Sequence, residues 1–203
     1  RRENPYWNFE TLLEDEDEYG AVSSFYFSTE RKVKYDPSYI ITEDSVQRLI
    51  HKLESMDREV GLHATYNAYH TYGELEDERR RFIQAAGLTP RGLRFHYLRF
   101  DARATLPNVD RLGFGYDTTL GYAEKEGFRA GTSLPFHPFD WSDDKALGLL
   151  EIPFCIMDKT LTDYQAYDAK RAQKSTRSIW EAIRRNHGLF TILPVSYTHL
   201  TLP

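Results

Sequence analysis

The sequence predicts an α/β protein in which parallel strands alternate with crossover helices. Short runs rich in β-branched and aromatic residues recur along the 203-residue chain, separated by stretches with apolar residues at helical spacing. Gly and Pro mark most of the boundaries. A chain of this length is expected to form one domain with a sizeable core. This alternation is typical of a parallel sheet or a barrel, and the pattern alone does not separate the two.

The elements of the first half have clear boundary signals. Thr42 is followed by two acidic residues and then by apolar residues at helical spacing, which predicts a helix start. Gly87 and Pro90 predict the end of the next helix. In chain order, the predicted elements are a helix from Phe9 that ends before Gly20, a strand at 21–27, a helix at 42–56, a strand at 59–65, a helix at 75–86, a strand at 92–100 and a short helix at 106–112.

The second half is less regular. Segments 114–122 and 149–157 are predicted to be extended, and the Pro-rich aromatic stretch 135–141 between them is predicted to be a loop. A last helix is expected to start at Ser175 or Thr176 and to end at Gly188, followed by a strand at 189–193. No internal repeat, low-complexity tract or linker is visible in the sequence.

Composition argues against two classes of partner. The net charge is −5 and the basic residues show no obvious block, which disfavours nucleic-acid binding. Arg79–Arg81 follows a run of acidic residues, a pattern typical of a solvated helix face. No apolar run is long enough for a membrane span, and no signal peptide is visible, although the chain begins at Arg1 without Met. The one cysteine, Cys155, lies in an apolar run and is predicted to be a buried thiol.

Two histidines lie in or at the end of predicted strands. His63 and His96 are candidates for metal binding or proton transfer, because imidazole does both near neutral pH. A core histidine bonded to a backbone carbonyl is the alternative for each. Asn67 follows His63 by four residues, so that both side chains could face one point, although an amide oxygen is a poor transition-metal ligand.

Charged residues on the next strands form the second candidate group. Arg94 and His96 are two residues apart and share a strand face, whereas Arg99 is predicted to lie on the other face. An Arg and a His buried side by side require a carboxylate or a bound ion nearby. Asp117 and Arg129 are candidates to supply charge and orientation, with a structural salt bridge or turn as the alternative for each.

Four segments together resemble the NodB-like polysaccharide deacetylases, over a region from about Asn4 to Leu193. These segments are GLHATYNAY (61–69), RGLRFHYLRFD (91–101), YDTTLGYAEKEGFRAGTSLPFHPFD (116–140) and EIPFCIMDKTL (151–161). The resemblance implies an irregular (β/α) barrel, here incomplete, and a bacterial source, with the cytoplasm or the cell envelope as the expected compartment. It implies a metal-dependent hydrolase that removes N-acetyl or O-acetyl groups from a carbohydrate polymer.

The resemblance also implies roles for particular residues. His63 matches the first histidine of the family's metal-binding pair, and Asn67 stands where the second is expected. The metal would be a divalent ion, most simply Zn²⁺. Arg94 matches the arginine of a third motif, and His96 could restore the lost ligand, line the cleft or take part in catalysis. Arg94, Arg99, Asp117 and Arg129 are the predicted substrate-binding residues.

Two motifs of the family have no match. No strand ending in Asp-Asp or Asp-x-Asp precedes Asn4, and the last strand leads into a tail, 194–203, that has a non-native appearance and lacks the expected Leu-x-His motif. The expectation is therefore a partial catalytic domain at 1–193 that is inactive as it stands. A barrel that binds carbohydrate without hydrolysing it is the alternative, because Asn67 replaces a histidine.

Overall fold

The computed structural model describes residues 9–101 and 103–194, which form five α-helices and nine strands. The helices are α1 (Phe9–Tyr19), α2 (Asp44–Ser55), α3 (Tyr72–Ala86), α4 (Thr105–Arg111) and α5 (Ala169–Arg185). The strands are β1 (Ser24–Phe27), β2 (Glu59–Ala64), β3 (Gly92–Phe95), β4 (Tyr116–Asp117), β5 (Phe139–Asp140), β6 (Lys145–Ala146), β7 (Leu150–Glu151), β8 (Ile156–Met157) and β9 (Ile192–Leu193). A 3₁₀ turn covers His96–Leu98 and a π-helical turn covers Thr160–Tyr164.

A parallel sheet forms the centre of the molecule, as the alternation of elements predicted. Five strands pair in the order β1-β2-β3-β4-β7, all parallel. A separate parallel pair joins β8 to β9, and β5 and β6 form a small antiparallel hairpin. Within residues 9–101 and 103–194, no strand pairing joins β7 to β8 or β9 to β1. The fold is therefore mixed α/β with a parallel sheet. Strand pairing that would close this sheet into a barrel is not shown among the described residues.

Helices α2 and α3 pack their apolar faces on the sheet. Val46, Leu49, Ile50 and Leu53 of α2 are buried at the spacing that predicted this helix. Helix α3 starts at the Thr71 cap, where the Thr71 side chain accepts a hydrogen bond from the Glu74 amide. It ends at Gly87, whose φ of 73° is the left-handed conformation that glycine adopts at little cost.

Three sequence predictions differ from the structure in this region. The strand predicted at 92–100 ends at Phe95, because Tyr97 and Leu98 have positive φ values of 58° and 53°. The segment 149–157, predicted to be extended, contains two short strands that pair in different sheets. The loop predicted at 135–141 contains strand β5 of the hairpin.

The last helix also begins earlier than predicted. Helix α5 starts at Ala169 instead of Ser175 or Thr176, capped by the Asp168 side chain, which accepts a hydrogen bond from the Arg171 amide at 2.7 Å. Its first turns are polar, so that apolar periodicity gave no signal there. The tail predicted from residue 194 onwards lies, from residue 195, outside the described residues. Among the helices of the described part, none is long and apolar enough to cross a membrane.

Two glycines allow tyrosine rings to lie across one face of the sheet. The Tyr26 ring covers Gly61, and the Tyr116 ring covers Gly92 on the neighbouring strand. The two phenol oxygens are 2.8 Å apart, and the Tyr116 hydroxyl also donates a hydrogen bond to Glu59 Oε2 at 2.8 Å. A Cβ on either glycine would overlap the ring above it, because the nearest ring atoms would be 2.7 Å away at Gly61 and 2.1 Å away at Gly92.

Two carboxyl groups meet on the opposite face. Asp117 of β4 and Glu151 of β7 are register partners, and both are fully buried. Burial, and then the charge of Asp117, raise the pKa of Glu151 far above its usual range, so that Glu151 is protonated at neutral pH. Burial is also the main cause that raises the pKa of Asp117. The Leu120 amide donates to Glu151 Oε1, and the Thr119 amide and hydroxyl donate to Asp117.

Substituting Gly92→Ala is expected to destabilise the protein, because the new methyl would overlap the Tyr116 ring. Overpacking of this kind costs about 1–3 kcal/mol, which urea unfolding would measure. Gly115→Ala is the matched control, since the nearest atom to its Cβ is a backbone oxygen at 3.5 Å. Equal stability of the two variants would contradict the tyrosine packing.

Substituting Glu151→Gln is expected to remove a loss of stability at alkaline pH. A pKa raised in the folded state stabilises the fold below the unfolded pKa of 4.5, and this contribution is lost as pH rises towards the folded pKa. The wild type should therefore lose up to about 1.4 kcal/mol of unfolding free energy per pH unit above pH ~5 relative to the variant. Exposed Glu124→Gln is the control. Parallel stability curves for wild type and Glu151→Gln between about pH 5 and 9 would refute the buried protonated carboxyl.

Candidate functional site

Two imidazoles meet where strands β2 and β3 end. His63 lies in β2, and His96 follows β3 directly, in the 3₁₀ turn. His63 Nε2 and His96 Nδ1 are 2.8 Å apart, and the two rings are almost perpendicular, at 89°. Both side chains are buried. The structure thus places two of the sequence-predicted residues in direct contact at the carboxyl edge of the sheet, where ligands of parallel α/β proteins bind.

The hydrogen bonds of the pair fix its protonation pattern. The Tyr35 carbonyl oxygen, an acceptor only, lies 2.7 Å from His96 Nε2, which must therefore carry a proton. In a neutral His96 ring, Nδ1 then accepts, so that His63 Nε2 donates to it. The neutral pair consequently has both protons on Nε2 and the lone pair of His63 on Nδ1. Tyr35 was not among the predicted site residues, because a backbone carbonyl gives no sequence signal.

A group of three tyrosines, Tyr35, Tyr66 and Tyr97, lies beside the histidines. The ring centroids of Tyr35 and Tyr66 are 4.8 Å apart. The ring centroid of Tyr97 lies 5.9 Å from that of Tyr35 and 5.6 Å from that of Tyr66. Tyr97 also contacts His96, with centroids 4.8 Å apart, and 55% of its surface is exposed. Its positive φ of 58° turns the ring away from the path of β3. This tyrosine group offers an exposed aromatic surface next to the imidazole pair.

Asn67 and Arg99 bind each other instead of joining the histidines. Arg99 Nη1 donates to Asn67 Oδ1 and to the Tyr66 carbonyl oxygen, both at 3.2 Å. Arg99 Nη2 donates to the Tyr69 hydroxyl at 2.6 Å, and the guanidinium lies 3.9 Å from the Tyr66 ring centroid. The Asn67 oxygen predicted as a metal ligand is therefore engaged by a cation. Arg99 thus stabilises the loop after β2 that carries Tyr66.

Arg94 lies two residues before His96, on the same face of the sheet. Its Nε donates to the Thr118 carbonyl oxygen at 3.0 Å, and its Nη2 to the Thr118 hydroxyl at 3.1 Å. Its guanidinium carbon is 4.9 Å from the Tyr26 ring centroid. Burial lowers the pKa of the Arg94 guanidinium below its usual range, although Tyr26 and Asp117 oppose this effect. Arg94 is thus a buried cation whose side-chain partners are aromatic rings and a hydroxyl.

The remaining predicted residues are not assembled with the histidines. Asp117 is fully buried and directed at Thr119, on the face of the sheet opposite to Arg94 and His96. Arg129 is exposed, with its guanidinium 5.9 Å from the Phe100 ring centroid. Their predicted role in substrate binding stays a prediction, and no contact with the imidazole pair supports it.

A groove of about 800 Å³ opens along the unpaired side of β1. Its walls come from α1, the β1 edge, β9 and the inner face of the sheet. Arg94, Tyr26 and Tyr116 form part of its floor, whereas neither histidine lines it. The groove therefore meets the site only through Arg94.

The described residues do not complete a metal site. Zn²⁺ in proteins takes three or four N, S or O ligands from side chains. Across residues 9–101 and 103–194, no group of three His, Cys, Asp or Glu side chains could hold a metal ion. His63 Nε2 is hydrogen-bonded to His96 Nδ1, and Asn67 Oδ1 accepts a hydrogen bond from Arg99. The donors in place thus do not fit a Zn²⁺ ion without further ligands.

Comparisons with known proteins support the fold. No family model matches the sequence, and no curated protein matches it. Among solved structures, the chain is similar to a crystal structure described as a putative polysaccharide deacetylase from Mycobacterium smegmatis, with a TM-score of 0.62 and 17% identity. The match covers 91% of this chain but only 62% of that chain. At this identity the likeness shows the fold alone, a deacetylase-like α/β arrangement.

The protonation pattern of the imidazole pair can be measured directly. Nitrogen-15 NMR of the ring nitrogens is expected to show both His63 and His96 as Nε2-protonated tautomers when neutral, because Tyr35 accepts from His96. His63→Gln and His96→Gln assign the signals, and exposed His51 serves as the reference ring. A neutral His96 protonated on Nδ1 would contradict the hydrogen-bond chain.

Proposed function

We propose that the protein is a hydrolase that removes acetyl groups from a carbohydrate polymer. The observation that carries this proposal is the contact of His63 with His96 at the carboxyl edge of a parallel sheet, beside an exposed tyrosine group. The fold shared with a structure described as a putative polysaccharide deacetylase is in keeping with this activity, as is the resemblance of four sequence segments.

The imidazole pair suits proton transfer at an acyl carbon. His96 is held by the Tyr35 carbonyl and orients the His63 ring through the 2.8 Å contact between His63 Nε2 and His96 Nδ1. A base of this kind takes a proton from an attacking water, and the resulting imidazolium returns it to the leaving nitrogen or oxygen. His63 is thus the candidate proton carrier and His96 its positioning residue.

The exposed face of Tyr97 suits a sugar ring. Aromatic faces provide large apolar contact area at low entropic cost, and Tyr97 contacts His96 directly. A sugar stacked there would lie next to the imidazole pair. The exposed position of Tyr97 and its fixed backbone support a role in binding the polymer.

Metal dependence is part of the proposal and requires more ligands than the described residues supply. A divalent ion such as Zn²⁺ would polarise the acetyl carbonyl and a water molecule. In the described part of the chain, no group of three His, Cys, Asp or Glu side chains could hold such an ion. The remaining ligands would have to come from residues other than His63 and His96.

A carbohydrate-binding protein without hydrolytic activity is the second candidate. The observation that favours it is the bond between Asn67 and Arg99, which occupies the position where the resemblance implies a second metal-binding histidine. On this reading, the tyrosine group binds sugar and the imidazole pair only stabilises the loops.

Acetate release distinguishes the two. Protein expressed from its complete reading frame, incubated with N-acetylated chitin oligosaccharides and acetylated cell-surface glycans, should release acetate. His63→Ala is expected to reduce kcat by about 10²–10⁴-fold, the usual contribution of a proton-transfer group. His51→Ala on the surface of α2 is the matched control, and its activity should equal that of the wild type.

Metal content and binding complete the test. Stoichiometric Zn²⁺ together with acetate release supports the metal-dependent hydrolase. Oligosaccharide binding without acetate release or bound metal would establish the non-catalytic alternative. Acetate release that His63→Ala leaves unchanged would show that the imidazole pair is not the reactive site.

A further inference from the structure

Helix α5 concentrates positive charge in an acidic protein. Residues 169–185 contain six basic side chains and one acidic side chain, Glu181, a net charge of +5 (6 − 1). The whole chain has a net charge of −5, so that the other residues together carry −10 (−5 − 5). The expectation that the basic residues form no block is therefore wrong for this helix, because side chains spread over residues 170–185 share one face only once the helix forms. The basic side chains are Lys170, Arg171, Lys174, Arg177, Arg184 and Arg185.

All six cations lie on one face of the helix and are exposed. At 3.6 residues per turn, they fall within an arc of about 140°. The residues that pack on the protein, Ile183 and the half-buried Ile179, lie on the opposite side. The helix is about 25 Å long at 1.5 Å per residue. These six exposed side chains form a basic surface directed at solvent, which we call the α5 basic face.

The charge of the α5 basic face is largely uncompensated. Within the described residues, Arg177 forms the only ion pair of this face, with Glu181 at 3.1 Å. The charge of the basic run Arg79–Arg81 in α3 is partly compensated, because Asp77 forms ion pairs with both Arg80 and Arg81. Cations near a helix C-terminus also offset the helix dipole, but this effect falls off within the last turn and does not account for Lys170 to Arg177.

An exposed tryptophan borders the α5 basic face. Trp180 is 42% exposed, and the Arg184 guanidinium carbon lies 5.4 Å from its ring centroid. Tryptophan is enriched at the boundary between water and lipid, because its ring is largely apolar whereas its N–H can stay hydrated. Basic residues beside such a ring are typical of surface-bound amphipathic helices.

We propose that the α5 basic face docks the protein on a membrane surface that contains anionic phospholipids. Clustered Lys and Arg are attracted to such a surface, and Trp180 can enter its interfacial layer. An exposed helix face suits a planar surface better than it suits a polymer that binds in a groove. The net charge of −10 on the remaining residues is repelled by the same surface, so that the protein binds in one orientation.

Vesicle binding tests this proposal independently of any hydrolytic activity. The full protein is sedimented with vesicles of phosphatidylcholine alone, and with vesicles of phosphatidylcholine and phosphatidylglycerol. Binding to the anionic vesicles should be at least about tenfold stronger and should fall with added salt, since exposed charges are screened. Lys174→Glu combined with Arg177→Glu should abolish this preference.

Two matched controls separate a local effect from a general one. Arg48→Glu combined with Arg91→Glu changes the net charge equally at two other exposed positions and should retain binding. Trp180→Ala should weaken binding several-fold, whereas Trp141→Ala, at a residue 76% exposed on the hairpin, should not. Circular dichroism confirms that each variant is folded.

Three results would overturn the proposal. The first is equal binding of both vesicle types by the wild type, and the second is unchanged binding by the α5 double variant. The third is α5-dependent binding to double-stranded DNA or to an acidic polysaccharide without binding to vesicles, which would assign the face to a soluble polyanion.

Discussion

The register between β2 and β3 is the constraint on which the candidate site depends. Leu62 pairs with Leu93, and His63 with Arg94. Because alternate residues of a strand share a face, this register puts His63 and Arg94 on the face that His96 also joins. A shift by one residue would move the whole set to the opposite face. The short distance between the two imidazoles follows from this pairing and from the turn after Phe95.

Two buried carboxylates hold the loops at this edge of the sheet. Glu78 of α3 accepts hydrogen bonds from the Thr65 amide and hydroxyl and forms an ion pair with Lys32 at 2.9 Å. Asp36 accepts from the amides of Lys32, Val33 and Tyr66. The loop after β1 and the loop after β2 are thereby joined to each other. This connection brings the Tyr35 carbonyl to His96 and the Tyr35 ring to Tyr66.

Local periodicity predicted the fold better than it predicted the site. Helices α2 and α3 and the parallel order of their strands follow from apolar spacing, to which α3 adds its Thr71 cap and Gly87 end, all of them local signals. The early start of α5 gave no apolar signal, and the end of β3 depends on a left-handed residue, Tyr97, that no glycine marks. Elements of this kind are decided by tertiary contacts.

Among the site residues, the sequence could identify types but not partners. His63 and His96 were candidates because strands carried them, and the structure brings them together. Asn67 was placed by a four-residue spacing, yet Arg99, predicted on the opposite face, reaches it because β3 ends early. Asp117 is paired with a buried acid that is distant in sequence, Glu151. Such pairings arise only when the strands align.

The central claim is that the His63–His96 contact marks the place where an acetylated sugar binds. A crystal structure of the protein with a chitin oligosaccharide measures this most directly. The account predicts an acetamido group within hydrogen-bonding distance of His63 and a sugar ring on the face of Tyr97. An oligosaccharide bound elsewhere, such as in the groove beside β1 without contact to either residue, would contradict it.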